Sequence, residues 1–120
     1  MHAVVHLITR DESLTFQKIN EIMAPYYEEE IFKYDPEKDE YTEPDPYPPF
    51  RWDYYTVHYS IVFEKPEDCF VLIDPDGHVE VRNWWNGKKH INRNKKFEKF
   101  VKENRPKWKG CYMAEIDIHW

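Results

Sequence analysis

The most regular pattern along the chain lies at residues 54–63, YYTVHYSIVF. There Tyr55, Val57, Tyr59, Ile61 and Phe63 alternate with Tyr54, Thr56, His58, Ser60 and Val62, the period of a β-strand with one face buried. A continuous β-branched run, HAVVHLIT at 2–9, predicts a strand covered on both faces. Leu14, Ile19, Ile22, Met23 and Tyr26 recur at helical spacing, with Asp11 or Ser13 as the cap. Pro25 removes a donor and crowds the preceding turn, so this helix should stop or kink near Ala24. Further on, CFVLID and HVEVRNWW read as strands joined by a tight PDG turn, with EKPED turning the chain before them. NGKK at 86–89 reads as another turn. Residues 92–104 read as a helix with a narrow stripe of Phe97, Phe100 and Val101, closed by Asn104 and Pro106. The last strand is CYMAEIDIHW. Tyr112, Ala114, Ile116 and Ile118 point one way on it, and Met113, Glu115, Asp117 and His119 the other.

Two segments depart from these periods. Residues 34–50, YDPEKDEYTEPDPYPPF, hold five prolines and no apolar period, which predicts an acidic Pro/Tyr-rich loop pinned to the body by Tyr41, Tyr47 and Phe50. Residues 82–96, RNWWNGKKHINRNKK, set two tryptophans in a run of positive charge. The resulting order, β-α-loop-β-β-β-α-β, fits a single α+β domain spanning 1–120. It implies an antiparallel sheet of four to five strands with two helices on one face, a variant of the ferredoxin-like plan.

Composition sharpens the picture. Aromatic residues make up 18% of the chain, while leucine occurs only at Leu7, Leu14 and Leu72, so the core must be built on rings and β-branched side chains. Cys69 and Cys111 border apolar runs and read as buried, reduced thiols. The N-terminal residues carry no basic, apolar leader pattern, and no run approaches the length of a membrane span. These features predict a soluble, cytoplasmic protein with no membrane partner. The net charge of −6 conceals a segregation. Residues 11–45 carry twelve acids and three bases, whereas residues 82–109 carry eleven bases and two acids.

IMAPYYEE at 22–29, LIDPDGHVEV at 72–81, NWWNGKK at 83–89 and EIDIHW at 115–120 together are similar to the motifs of a family of small, uncharacterised proteins encoded by bacteriophages and prophages. In that family a strand precedes a helix ending in a LAPYDE-like motif. A TPDGxW-like turn, a Trp-Gly segment and a VDCHI-like last strand follow. The family's central Trp-Gly-Gly segment is absent, FRWDYY at 50–55 being the nearest match. The family brings no established activity. The resemblance implies context: a phage accessory gene whose product works inside a bacterial cell.

Catalytic patterns are missing from the sequence. It contains no phosphate-binding glycine loop, no G-x-S-x-G, no CxxC and no HExxH, and its three glycines stand at 77, 87 and 110. The expectation is therefore a protein that binds and does not catalyse, with no cofactor. The first candidate surface consists of Glu28, Glu29, Glu30, Asp35, Glu37, Asp39, Glu40, Tyr41, Glu43, Asp45 and Tyr47. Carboxylates with tyrosine anchors suit the basic nucleic-acid site of a host protein, such as a defence nuclease or CRISPR effector, so an anti-CRISPR-like inhibitor is the expected role. The alternative is a nucleic-acid-binding module using Trp84, Trp85, Lys88, Lys89, Arg93, Lys95 and Lys96. A third reading is a metal-dependent enzyme in which His6, Asp117 and His119 converge between the first and last strands.

Overall fold

The computed structural model describes residues 1–11, 14–60 and 69–120. Strand β1 (His2–Thr9) leads into helix α1 (Phe16–Met23), whose N-terminus is capped by the Thr15 hydroxyl accepting from the Lys18 amide. Asp11 instead accepts from the Lys18 ammonium at 2.9 Å, and Ser13 lies outside the described residues. The helix ends as Pro25 demands. A 3-10 turn at Ala24–Tyr26 takes over, followed by the short helix α2 (Glu28–Ile31). Strands β2 (Lys33–Asp35), β3 (Glu40–Thr42), β4 (Tyr54–Ser60), β5 (Val71–Ile73), β6 (Val79–Val81), β7 (Asn83–Trp85) and β8 (His90–Asn92) come next. Helix α3 (Asn94–Asn104), a 3-10 turn (Arg105–Trp108) and strand β9 (Tyr112–His119) close the chain.

Five strands form one sheet in the order β4-β9-β1-β5-β6, so the fold is α+β, with three α-helices among the described residues. All neighbours are antiparallel except β1 and β5, which pair in parallel through Val5–Val71 and Leu7–Ile73. The sheet is therefore mixed, not purely antiparallel. Strands β1 and β4 run the same way with β9 between them, and β6 and β9 run the same way with β5 and β1 between them. Both connections are split βαβ crossovers, the element shared with the ferredoxin-like plan.

The expectation of helices on one face is corrected. α1 packs with Val5, Leu7, Val71, Ile73, Ile116 and Ile118 through Ile19 and Met23. α3 packs with Ile8, Leu72 and Met113 through Phe97 and Val101. Handedness explains the split. The two crossovers shift sideways in the same direction but start from strands pointing in opposite directions. A right-handed connection then places one helix in front of the sheet and the other behind it.

Both cysteines are buried in the α3 layer, as expected. Trp108 joins that layer, packing beside Phe100. The expected apolar face of β4 holds for Tyr55 and Val57, which pack on the α1 layer. Ile61, Phe63 and the turn expected at 64–68 lie outside the described residues. The predicted PDG turn forms: the Asp74 carboxylate accepts from the amides of Asp76 and His78, each at 2.9 Å, and Gly77 supplies φ +86°. The strand expected over 78–85 divides at Arg82. Before it, β6 pairs with β5; after it, β7 pairs with β8.

Candidate functional site

The acidic segment is more ordered than a loop. The loop expected over 34–50 is corrected in its first half, where β2 and β3 form a two-stranded hairpin of their own. The turn is set by an Asp35 carboxylate accepting from the Glu37 amide at 3.0 Å and by Asp39 in the left-handed region, φ 51°. Cross-strand register places Tyr34 directly opposite Tyr41, and their rings lie 5.2 Å apart. Tyr34 is 50% and Tyr41 68% exposed. Tyr41 thus does not pin the segment to the body; it stands with Tyr34 as an outward aromatic pair. The Tyr34 hydroxyl donates to the Asp39 carboxylate. That bond, then burial and Tyr41, hold the phenol above its ordinary range. Asp35, Glu37, Asp39 and Glu40 edge the pair on the hairpin, and Glu43 and Asp45 follow it on the chain. Tyr34 was missed at the level of sequence. Its signal is the matched triplets KYD and EYT on either side of the PEKD turn.

The remaining acidic candidates divide by role. Glu29 and Glu30 are exposed on α2. Glu28 is committed to Arg51 at 3.0 Å. Tyr47 and Phe50 do pin the segment. Phe50 is buried and stacks on Tyr26 at 4.2 Å. Tyr47 lies edge-on to Phe32, and its carbonyl accepts from the Trp84 indole at 3.1 Å. Its ring also fills the space over Gly87, where an added Cβ would stand 2.6 Å from the Tyr47 Cε2. The foot of the acidic segment is thereby clasped to the basic hairpin β7–β8.

In that hairpin the adjacent tryptophans point to opposite faces, as strand geometry requires. Trp84 packs inward on the α1 layer with the Arg93 guanidinium 5.5 Å over its ring. Trp85 is 39% exposed and lies 4.9 Å from the His90 ring. The Asn86 side chain accepts from the amides of Lys88 and Lys89, shaping the turn, and both lysines are exposed. Lys95 and Lys96 are exposed on the first turn of α3, while Arg93 pairs with Glu80 at 3.5 Å. The outward set is therefore Trp85, Lys88, Lys89, Lys95 and Lys96, with Trp84 and Arg93 drawn into the body.

The histidine candidates do not converge. Register sets His6 opposite Glu115, Val4 opposite Asp117, and His2 opposite His119. His6 Nε2 faces Glu115 at 3.8 Å, Asp117 faces His2 at 3.3 Å, and His119 faces Asp53 at 2.7 Å. His119 also stacks on Tyr54 at 4.7 Å, and its hydrogen bond holds the Asp53 carboxyl below the usual range. Burial holds the His6 imidazole below its ordinary pKa against the pull of Glu115. Among the described residues no three His, Cys, Asp or Glu side chains form a group able to hold a metal ion. Also among them, no helix is long and apolar enough to cross a membrane. No protein-family model, curated protein or solved structure matches the chain.

Proposed function

We propose that this chain is a phage-encoded accessory protein that acts by binding, its acidic hairpin occupying the basic nucleic-acid site of a host protein, a defence nuclease in the first instance. The observation that carries the reading is the Tyr34–Tyr41 pair, solvent-exposed on both strands of a hairpin and edged with carboxylates. Exposed tyrosines on a rigid strand pair are low-entropy anchors, and a surrounding negative field speeds and aligns docking on a positive groove. The resemblance to phage proteins and the segregation of charge along the chain support the same role.

The test is capture from bacterial lysate, with and without nuclease treatment, by the natural chain and by a Tyr34→Ala/Tyr41→Ala variant. A stoichiometric protein that survives nuclease and is lost at least about tenfold with the variant, the scale of one hot-spot anchor, is the expected result. Equal capture by both chains overturns the proposal.

A second reading, nucleic-acid binding, is favoured by Trp85 standing exposed beside His90 at the end of the hairpin that carries Lys88 and Lys89. Its mark is capture of nucleic acid that fails in high salt and in a Lys88→Glu/Lys89→Glu variant.

A further inference from the structure

An open groove of about 660 Å³ lies at the C-terminal end of α1. Tyr27, Trp52 and Tyr55 line it. The Trp52 and Tyr55 rings meet at 87° with centroids 4.8 Å apart, and Tyr27 lies 4.7 Å from Trp52 on a tilt of 32°. Two bonds fix these rings. The Trp52 indole donates to the Met23 carbonyl at 2.8 Å, and the Tyr55 hydroxyl donates to the Asn20 side chain. Two of the three walls are thus fixed, and none of the three is charged.

The one charged residue among those lining the groove is acidic. Glu30 lines it directly. Glu29, Asp53 and Glu28 all act on the Tyr27 hydroxyl, which burial, first, and these carboxylates hold above its ordinary range. The groove also includes Ala24 and Pro25, where α1 ends with no basic residue in its last turn, so the negative end of that helix is not offset by its own side chains. Aromatic faces, carboxylates and a helix C-terminus each favour a cation, and here they act on one space. The chain builds the same arrangement nearby for itself: the Arg51 guanidinium sits 5.0 Å over the Phe32 ring while pairing with Glu28.

We infer that this groove receives an arginine side chain from a basic protein partner, the planar guanidinium stacking on one ring of the Trp52–Tyr55 corner with Glu30 as its counter-ion. The inference rests on the binding role proposed above and adds to it a second contact point, separate from the Tyr34–Tyr41 pair. Arginine suits the site better than lysine because its flat, weakly hydrated cation lies against rings and keeps its edge donors for a carboxylate.

The probe is an acetylated Gly-Arg-Gly-Arg-Gly peptide titrated into the full chain, followed in the amide and indole N–H spectrum. A citrulline counterpart, equal in shape but uncharged, is the control. The Trp52 indole resonance, identified by its loss in Trp52→Phe, and the Tyr27 and Tyr55 amides should shift saturably with the arginine peptide alone. Glu30→Lys, a surface change that leaves the fold in place, and Tyr55→Leu should each weaken binding about tenfold. Shifts confined to the β2–β3 hairpin, equal shifts with citrulline, or affinity untouched by both variants overturn the inference. In the lysate capture, loss with Glu30→Lys but not with the hairpin variant keeps the groove and removes the hairpin. Hairpin-dependent capture without peptide binding removes the groove and keeps the hairpin.

Discussion

At the scale of single residues, two glycines with similar backbone angles differ in consequence. Gly87 has φ +97° and lies under the Tyr47 ring, whereas Gly77 has φ +86° with open space around it. Gly77→Ala should cost only the left-handed penalty of about 1 kcal/mol. Gly87→Ala adds a steric clash, and should cost about 2–4 kcal/mol while loosening the Trp84–Tyr47 clasp. Urea unfolding of the two variants checks the difference. His6 sets a pH dependence. Burial lowers its folded pKa, so the unfolded chain takes up the proton first, near pH 6.5. The stability held by neutral His6 is complete above that pH and is lost as pH falls toward the folded value. Thermal midpoints at pH 7.5 and 5.0 should fall less in His6→Gln than in the natural chain. The residue-scale legibility is uneven. The opposite orientations of Trp84 and Trp85 follow from strand alternation alone. That His6 meets Glu115 and not Asp117 depends on register, which no local pattern encodes.

At the scale of elements, α3 and its trailing 3-10 turn act as one stripe. Phe97, Val101 and Trp108 are all buried against Ile8, Leu72 and Met113. Trp108→Ala should lose about 3–5 kcal/mol, read as a lower denaturant midpoint at unchanged slope. The stripe was legible to Val101, because Phe97, Phe100 and Val101 keep helical spacing. Its extension to Trp108 was hidden by Pro106 and the lysines on either side of Trp108. The β2–β3 hairpin was hidden in a similar way. Its strands are three residues each, too short for a period, and the prolines around them read as loop. The strand expected at 78–85 divides because Arg82 gives its amide to Phe70 and its carbonyl to Arg93, while its guanidinium covers Phe97 at 4.3 Å. Val79, Val81 and Trp84 all pack on the α1 layer, so the alternation shifts by one position where the strand changes partner.

At the scale of the whole molecule, shape and charge act together. The Cα radius of gyration is 15.3 Å, above the roughly 13.6 Å of a compact chain this long, and the extents are 51 × 32 × 23 Å. A long body with segregated charge is suited to reach a partner's groove with one part while other surfaces remain in solvent. If the acidic face docks on a basic site, association should slow about tenfold or more between 50 mM and 300 mM salt, with dissociation changing much less, as stopped-flow mixing with the captured partner would show. The α+β class, the order of the main elements and the two charged segments were legible because each rests on composition or a short period. The two-sided covering of the sheet was not, because it arises from handedness acting on strand order.

The central pairing of the sheet joins β1 to β9, the first and last of the described strands, along eight residues from His2–His119 to Thr9–Tyr112. During synthesis every other strand emerges before the one that must lie beside β1. The β4 edge has no neighbour in the sheet until β9 arrives between it and β1. Folding of the sheet is therefore gated by β9. The nascent chain holds a β-branched first strand without its central partner until β9 has emerged, and closure is slow because the loop between β1 and β9 is long. The vulnerable interval is the one before β9 emerges, and a chain cut short before that strand loses the middle of its sheet rather than its edge.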